Sequence, residues 1–335
     1  MPSSLVTEAG GARGSRERRN GGWVTTGPHD PQARGAGEAC TTEQTSLGEG
    51  IRWDDRRDEL LRVDVLEGRV FRDRVDDSGA LHPIRRYRVP GTVGAIAPVA
   101  GDEGWLLAAG RGFAYLTPGG SHRVLAEVAP SRTRMNDAAC DPQGRFWAGT
   151  LADDHHLGGG ALYRLDVTGE TELMLGDLTI SNGLGWSPDG GTMYLVDSGP
   201  RVIYSFAFEP DRGTISGQRP LVILGEEVGS PDGMTVDAHG DIWVAIYGGG
   251  QVHRYSPGGE LRQVLAVPTA QTTCCSFASL GLHRLYVTTA TEGWSEEQRR
   301  SDPAAGLVYR FDTGATGRPA TPFRPIREWW ERVTR

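Results

Sequence analysis

Three side chains with oxygen donors stand at one phase of a repeating pattern: Asn136, Asn182 and Asp232. Each is followed by Asp or Gly, in Asn136-Asp137, Asn182-Gly183 and Asp232-Gly233. A further carboxylate, Glu49, lies in Leu47-Gly48-Glu49-Gly50, just ahead of the first copy of the pattern. Two carboxylates and two amide carbonyls meeting at one point make an all-oxygen shell, which suits a hard cation such as Ca²⁺, Mg²⁺ or Mn²⁺. Asn-Gly and Asp-Gly pairs are also standard turn formers. Taken singly, each reads as turn chemistry; the metal reading rests on their coincidence in phase.

Other chemistry-bearing residues read more plainly. His155-His156 is an adjacent pair whose side chains diverge, which makes joint zinc ligation awkward and points to a solvated loop. His253 falls in a strand and reads as sheet surface. Asp197 reads as a polar brace within its repeat. Gly248-Gly249-Gly250 reads as a hairpin turn, because no helix follows it to make a phosphate site. No G-x-S-x-G elbow is present, which argues against a serine hydrolase.

The elements that would position the oxygen donors follow from the repeat. Asn136 to Trp147, Asn182 to Tyr194 and Asp232 to Trp243 each carry a short strand, a turn rich in Asp and Gly, and an aromatic strand. The copies also end alike, in Leu162-Tyr163-Arg164, Val252-His253-Arg254 and Val308-Tyr309-Arg310. Weaker copies start near Trp53, Gly94 and Cys274, giving six copies separated by 41 to 50 residues. That is the length of a four-stranded propeller blade. Apolar residues alternate, as in Leu60 to Val65, and helical periodicity is almost absent. The pattern predicts an all-β, six-bladed β-propeller over residues 45–322 with a central metal site. Innermost strands entering a ring bring equivalent loops to its axis. Residues 1–44, rich in Gly, Arg and Ser, read as a poorly ordered extension. Residues 323–335, with Trp329 and Trp330, read as a tail, either a short helix or an edge cover.

Composition excludes several classes. The chain of 335 residues has a formal charge of −8, and its 35 basic residues are all Arg. An acidic balance argues against a nucleic-acid partner, which needs a basic face. No apolar run approaches the ~18 residues of a membrane span, and no basic-then-apolar leader opens the chain. Four cysteines without C-x-x-C spacing read as small buried residues in a reducing compartment, so a cytoplasmic location is expected. A monomer is the default expectation.

Taken together, Ser46-Leu47-Gly48-Glu49-Gly50 with Trp53-Asp54, Arg134-Met135-Asn136-Asp137, Gly149-Thr150-Leu151, Ile180 to Ser187, Ser230-Pro231-Asp232-Gly233-Met234 and Gln271 to Phe277 resemble the SMP-30/gluconolactonase family, which includes regucalcin. The resemblance runs from about Ser46 to Pro322, with its motifs in order. It implies one divalent metal ion (Ca²⁺, Mn²⁺, Zn²⁺ or Mg²⁺) held by Glu49, Asn182 and Asp232. It implies that Arg134 and Asn136 bind substrate, and that the acidic residue used on sugar hydroxyls falls at Asp154. Many members carry Glu there, one methylene longer. Two further departures touch the first blade: Ile51 stands where Pro is usual, and Arg62 where an aromatic is common.

The implied activity is hydrolysis of a small aldonolactone-type substrate. The metal would act as Lewis acid on the carbonyl, and Asp232 as general base toward the attacking water. Two other readings stand beside it. One is a related metal-dependent hydrolase of another lactone or of organophosphates, which would favour an apolar pocket. The other is a calcium-binding or interaction propeller without turnover, since fold alone does not give function.

Overall fold

A strand points successive side chains to opposite faces, and in Glu59-Leu60-Leu61-Arg62-Val63-Asp64 both faces are buried. A computed structural model describes residues 37–334, and 24 strands dominate it. They form six antiparallel sheets of four strands each, the blades of a ring. The innermost strands are Gly48–Asp54, Val93–Pro98, Thr133–Cys140, Ser181–Trp186, Ser230–Val236 and Thr272–Ala278, in blades one to six. Each packs on the innermost strand of the next blade, and the sixth packs on the first. The expected six-bladed propeller is therefore the observed fold.

A local unit explains why the repeat is visible in sequence. Asp141 is fully buried, and its Oδ1 accepts from the backbone N–H of Gln143 at 2.9 Å and of Arg145 at 3.0 Å. Its Oδ2 accepts from the indole Nε1 of Trp147 at 3.1 Å. Asp237 repeats the arrangement, with His239, Asp241 and Trp243. One carboxylate thus ties a turn and anchors the buried Trp of the following strand. A buried carboxylate needs these donors to replace water.

Five blades are contiguous in sequence, but the sixth is not. Its strands Thr272–Ala278, Arg284–Thr289 and Val308–Asp312 are completed by Glu38–Ala39, which pairs Glu38 with Arg310 and Ala39 with Tyr309. The N-terminal extension expected at 1–44 therefore gives up its last residues to the ring; residues 1–36 lie outside the described residues. A strand two residues long, with no alternation of its own, carries no periodic signal; the pairing is fixed by the free edge it covers. The tail is a helix, Arg327–Thr334, and Glu296–Ser301 is a second short helix, capped by Ser295, that the strand pattern did not announce. Trp329 and Trp330 are buried, and Trp330 packs edge-on against Tyr115 at 5.0 Å between ring centres. Among the described residues, no helix is long and apolar enough to cross a membrane.

Candidate metal and substrate site

Every innermost strand is irregular near its start. The pairing slips between Glu49 and Arg52, Met135 and Ala138, Ser181 and Leu184, and Pro231 and Met234, each time by one extra residue on the inner strand. These are β-bulges, which bend a strand and re-aim its side chains. Asn136-Asp137, Asn182-Gly183 and Asp232-Gly233 are the bulged residues. The pairs that read singly as turns are thus bulges inside strands, and their common phase is structural. Glycine is required where strands crowd. A Cβ on Gly183 would sit 2.5 Å from the carbonyl oxygen of Asp232, on the neighbouring blade.

The bulges bring the oxygen donors together. Glu49, Asn136, Asn182 and Asp232 are between 5% and 8% exposed. The Asn182 Nδ2 donates to Asp232 Oδ1 and, at 3.1 Å, to Ser198 Oγ. Ser198 Oγ in turn donates to the Pro231 carbonyl at 2.7 Å, so blades four and five are clipped at the site. The Glu49 Oε2 accepts from the Gly50 N–H at 2.9 Å. Burial, and then the charges of Asp232 and Asp137, hold the Glu49 carboxyl well above its usual range. Burial and the Asp137 charge do the same to Asp232, against the opposing hydrogen bond from Asn182.

This arrangement fits a hard cation. The Asn182 Oδ1 is buried and has no hydrogen-bond partner, which normally incurs a desolvation penalty. Burial raises both carboxyls, and the charge of Asp232 on blade five adds to the rise at Glu49 on blade one. A divalent cation would satisfy the orphaned oxygen and offset both charges. Among the described residues, no three His, Cys, Asp or Glu side chains cluster as ligands, so a cation here would have to draw on the Asn182 amide as well.

Arg134 and Asn136 sit beside the set. The Arg134 guanidinium donates to Asn136 Oδ1 at 2.8 Å, and Asn136 Nδ2 donates to the Ser181 carbonyl at 3.1 Å. Asp154 stands apart. Its side chain is 61% exposed, and its Oδ1 meets His156 Nδ1 at 2.6 Å. Arg134 feels the neighbouring charges of Glu292, Glu49, Asp232 and Asp153.

Other expectations resolve locally. Asp197 is a brace: its carboxylate accepts from the N–H groups of Thr179 and Ile180. His155 and His156 lie in an exposed loop, and residues 248–250 form the hairpin turn. Cys140, Cys274 and Cys275 are buried free thiols. His253 is a correction: it is 4% exposed, not on the sheet surface, because Gln251 and Tyr255 of its own strand satisfy both ring nitrogens. Arg62, the departure in blade one, is 1% exposed, paired with Asp73 at 3.1 Å and stacked over Phe71. Its charge is absorbed inside the blade.

Sequence reading missed three residues at this end of the ring. Asp137, the partner of Asn136 in the bulge, is buried with Arg52 as its nearest counter-charge. Tyr247, the last residue of its strand, and Glu292, in a loop, lie outside the repeated motif, so no repeat phase marks them.

Comparison with known proteins agrees with this fold. The SMP-30/Gluconolactonase/LRE-like region matches residues 47–291. An L-arabinolactonase of Azospirillum brasilense is 36% identical over 301 residues, covering 87% of this chain and 97% of that protein. A pentonolactonase of Haloferax volcanii is 33% identical over 277 residues, covering 82% and 93%. A crystal structure of a calcium-binding protein, regucalcin, from Agrobacterium tumefaciens superposes with a TM-score of 0.80 at 27% identity, covering 86% of this chain and 97% of that one.

Proposed function

The chain belongs to the SMP-30/gluconolactonase/LRE-like family, and from that premise we propose that it is a lactonase that opens a small, hydroxyl-bearing lactone with the help of one divalent cation. The observation that carries this reading is the convergence of Glu49, Asn182 and Asp232 at bulges of three blades, with the Asn182 Oδ1 left without a partner. Relatives named for pentono- and arabinolactones support the substrate class.

A cation held by Glu49, Asn182 and Asp232 would supply Lewis acidity to the lactone carbonyl. Calcium, manganese, zinc and magnesium all suit an oxygen set. The remaining work falls to the chain. Asp232 takes a proton from the attacking water as its oxygen bonds to the carbonyl carbon. The acyl–oxygen bond of the ring breaks, and the ring oxygen recovers a proton, leaving a hydroxy acid. Arg134 and Asn136, already locked to each other, orient the ring oxygens; such positioning supplies several kcal/mol of a barrier. Asp154, on its exposed loop, is the outermost of the proposed hydroxyl contacts. The polar character of Arg134 and Asn136 favours a sugar lactone over the apolar substrates of organophosphate hydrolases.

A calcium-binding propeller without turnover is the second reading, favoured by the regucalcin relative being titled a calcium-binding protein. Proton release on a lactone panel that includes D-glucono-1,5-lactone separates the two. Metal-stripped protein should be inactive, recover with Mn²⁺, Zn²⁺, Mg²⁺ or Ca²⁺, and lose at least about 100-fold in kcat on Asp232→Asn. Metal binding with no lactone opened faster than in buffer would leave the second reading standing.

A further inference from the structure

We propose that Glu292 is a specificity-determining residue that accepts hydrogen bonds from substrate hydroxyls, at a rim position braced by Tyr247 and Gln271. The inference rests on the lactonase reading and adds a contact to it.

Three blades meet at this point of the rim. Glu292 follows the second strand of blade six, and its loop is fastened to the approach of Glu49. Ala290 bridges Leu47, the Thr291 N–H donates to the Ser46 carbonyl at 3.0 Å, and the Thr291 hydroxyl donates to the Thr45 carbonyl at 3.2 Å. Tyr247 ends the second strand of blade five and pairs with Ser230, two residues from Asp232. Gln271, only 8% exposed, joins the two. Its Nε2 donates to the Tyr247 hydroxyl at 2.8 Å and to the Glu292 carbonyl at 2.9 Å, while its Oε1 is buried without a partner.

The Glu292 carboxylate itself is lightly held. Among the described residues, the Tyr247 hydroxyl is its donor, 3.5 Å from Oε2 and at the outer limit of hydrogen bonding. An ionised carboxylate offers about four lone-pair positions, so acceptor capacity stays free at a half-buried site. Its charge reaches both Arg134 and Asp232 and is the leading counter-charge on Arg134. The mouth therefore holds a donor, Arg134, and an acceptor with free capacity, Glu292. A polyol matches both. An unsubstituted lactone leaves the acceptor unpaired, and unpaired polar groups are how such sites reject an analogue.

Glu292→Gln keeps the shape and removes the charged acceptor. The test compares D-glucono-1,5-lactone with δ-valerolactone, which carries no hydroxyl, and titrates glucitol into the metal-loaded protein by calorimetry. The ratio of kcat/KM between the two lactones should fall about tenfold in the variant, chiefly through KM on the sugar lactone, and glucitol should bind about tenfold more weakly. An unchanged ratio with unchanged glucitol affinity overturns the inference. If the parent protein opens neither lactone, the lactonase reading fails by itself. Glu292 is then judged on glucitol alone, and binding that is absent or equal in parent and variant overturns it.

Discussion

A buried side chain is held neutral or charged by what its neighbours can give it, and His253 illustrates the rule away from the site. Its Nδ1 accepts from the Tyr255 hydroxyl at 2.8 Å, and its Nε2 donates to Gln251 Oε1 at 2.7 Å. Both bonds suit the neutral ring, and burial pushes its pKa down from 6.5 to about 4. Between those values the unfolded chain binds a proton that the folded chain refuses, so folding stability falls as pH drops from 6.5 towards 4. At full extent the effect is about 3 kcal/mol. Urea unfolding at pH 7 and 4.5 should show this loss, and His253→Gln should flatten it. An equal slope in both proteins would remove His253 as the cause. His253 was misread from sequence because alternation places a residue on a face without saying whether another blade covers that face. Asn136, Asn182 and Asp232 stood out in the sequence because they share one repeat phase, whereas Glu49 lies just ahead of the first copy. Glu292 did not stand out, because a single acidic residue between Thr291 and Gly293 carries no such signal.

At the scale of the element, two devices do the work: a buried carboxylate that ties a turn to its aromatic strand in blades three and five, and a bulge in each innermost strand that re-aims its side chains. The first was written in the sequence as Asp141 to Trp147 and Asp237 to Trp243, two of the copies that made the repeat visible. The second left no trace beyond dipeptides that resemble turns, because one extra residue in a strand changes register but not composition. Gly183 shows what the bulge demands, a residue without a Cβ beside the Asp232 backbone. The tie is testable. Asp141→Ala strands two backbone N–H groups and the Trp147 indole, and removes one of the partners of Arg145, 3.0 Å away. It should lower unfolding stability by about 3 kcal/mol. A loss below about 1 kcal/mol by urea titration would mean that the turn holds without its carboxylate.

At the scale of the molecule, the ring is closed by the pairing of Glu38–Ala39 with Val308–Asp312. Glu38 reinforces it as an ion pair with Arg310, at 3.1 Å from its Nε. The Cys40 N–H extends the contact to the Val308 carbonyl at 2.7 Å. A chain starting at residue 45, the boundary that composition alone would choose, loses this strand and bares an edge of blade six. Its melting temperature should fall by at least roughly 2–4 °C, the shift that about 1 kcal/mol produces in a domain of 150–250 residues. An unchanged melting temperature would show that the sixth blade closes on three strands. The long-range partner was hidden from the sequence because nothing local in Glu38-Ala39 requires a strand; only the distant free edge does.

That closure also orders events during synthesis. Glu38 and Arg310 are 272 residues apart along the chain. At about 5–20 residues per second, the ribosome delivers the second roughly 15–55 s after the first. Blades one to five emerge with all four of their strands in sequence and can fold as they appear. Blade six can be completed only once Val308–Asp312 has been made, by a segment that has waited since before the first blade.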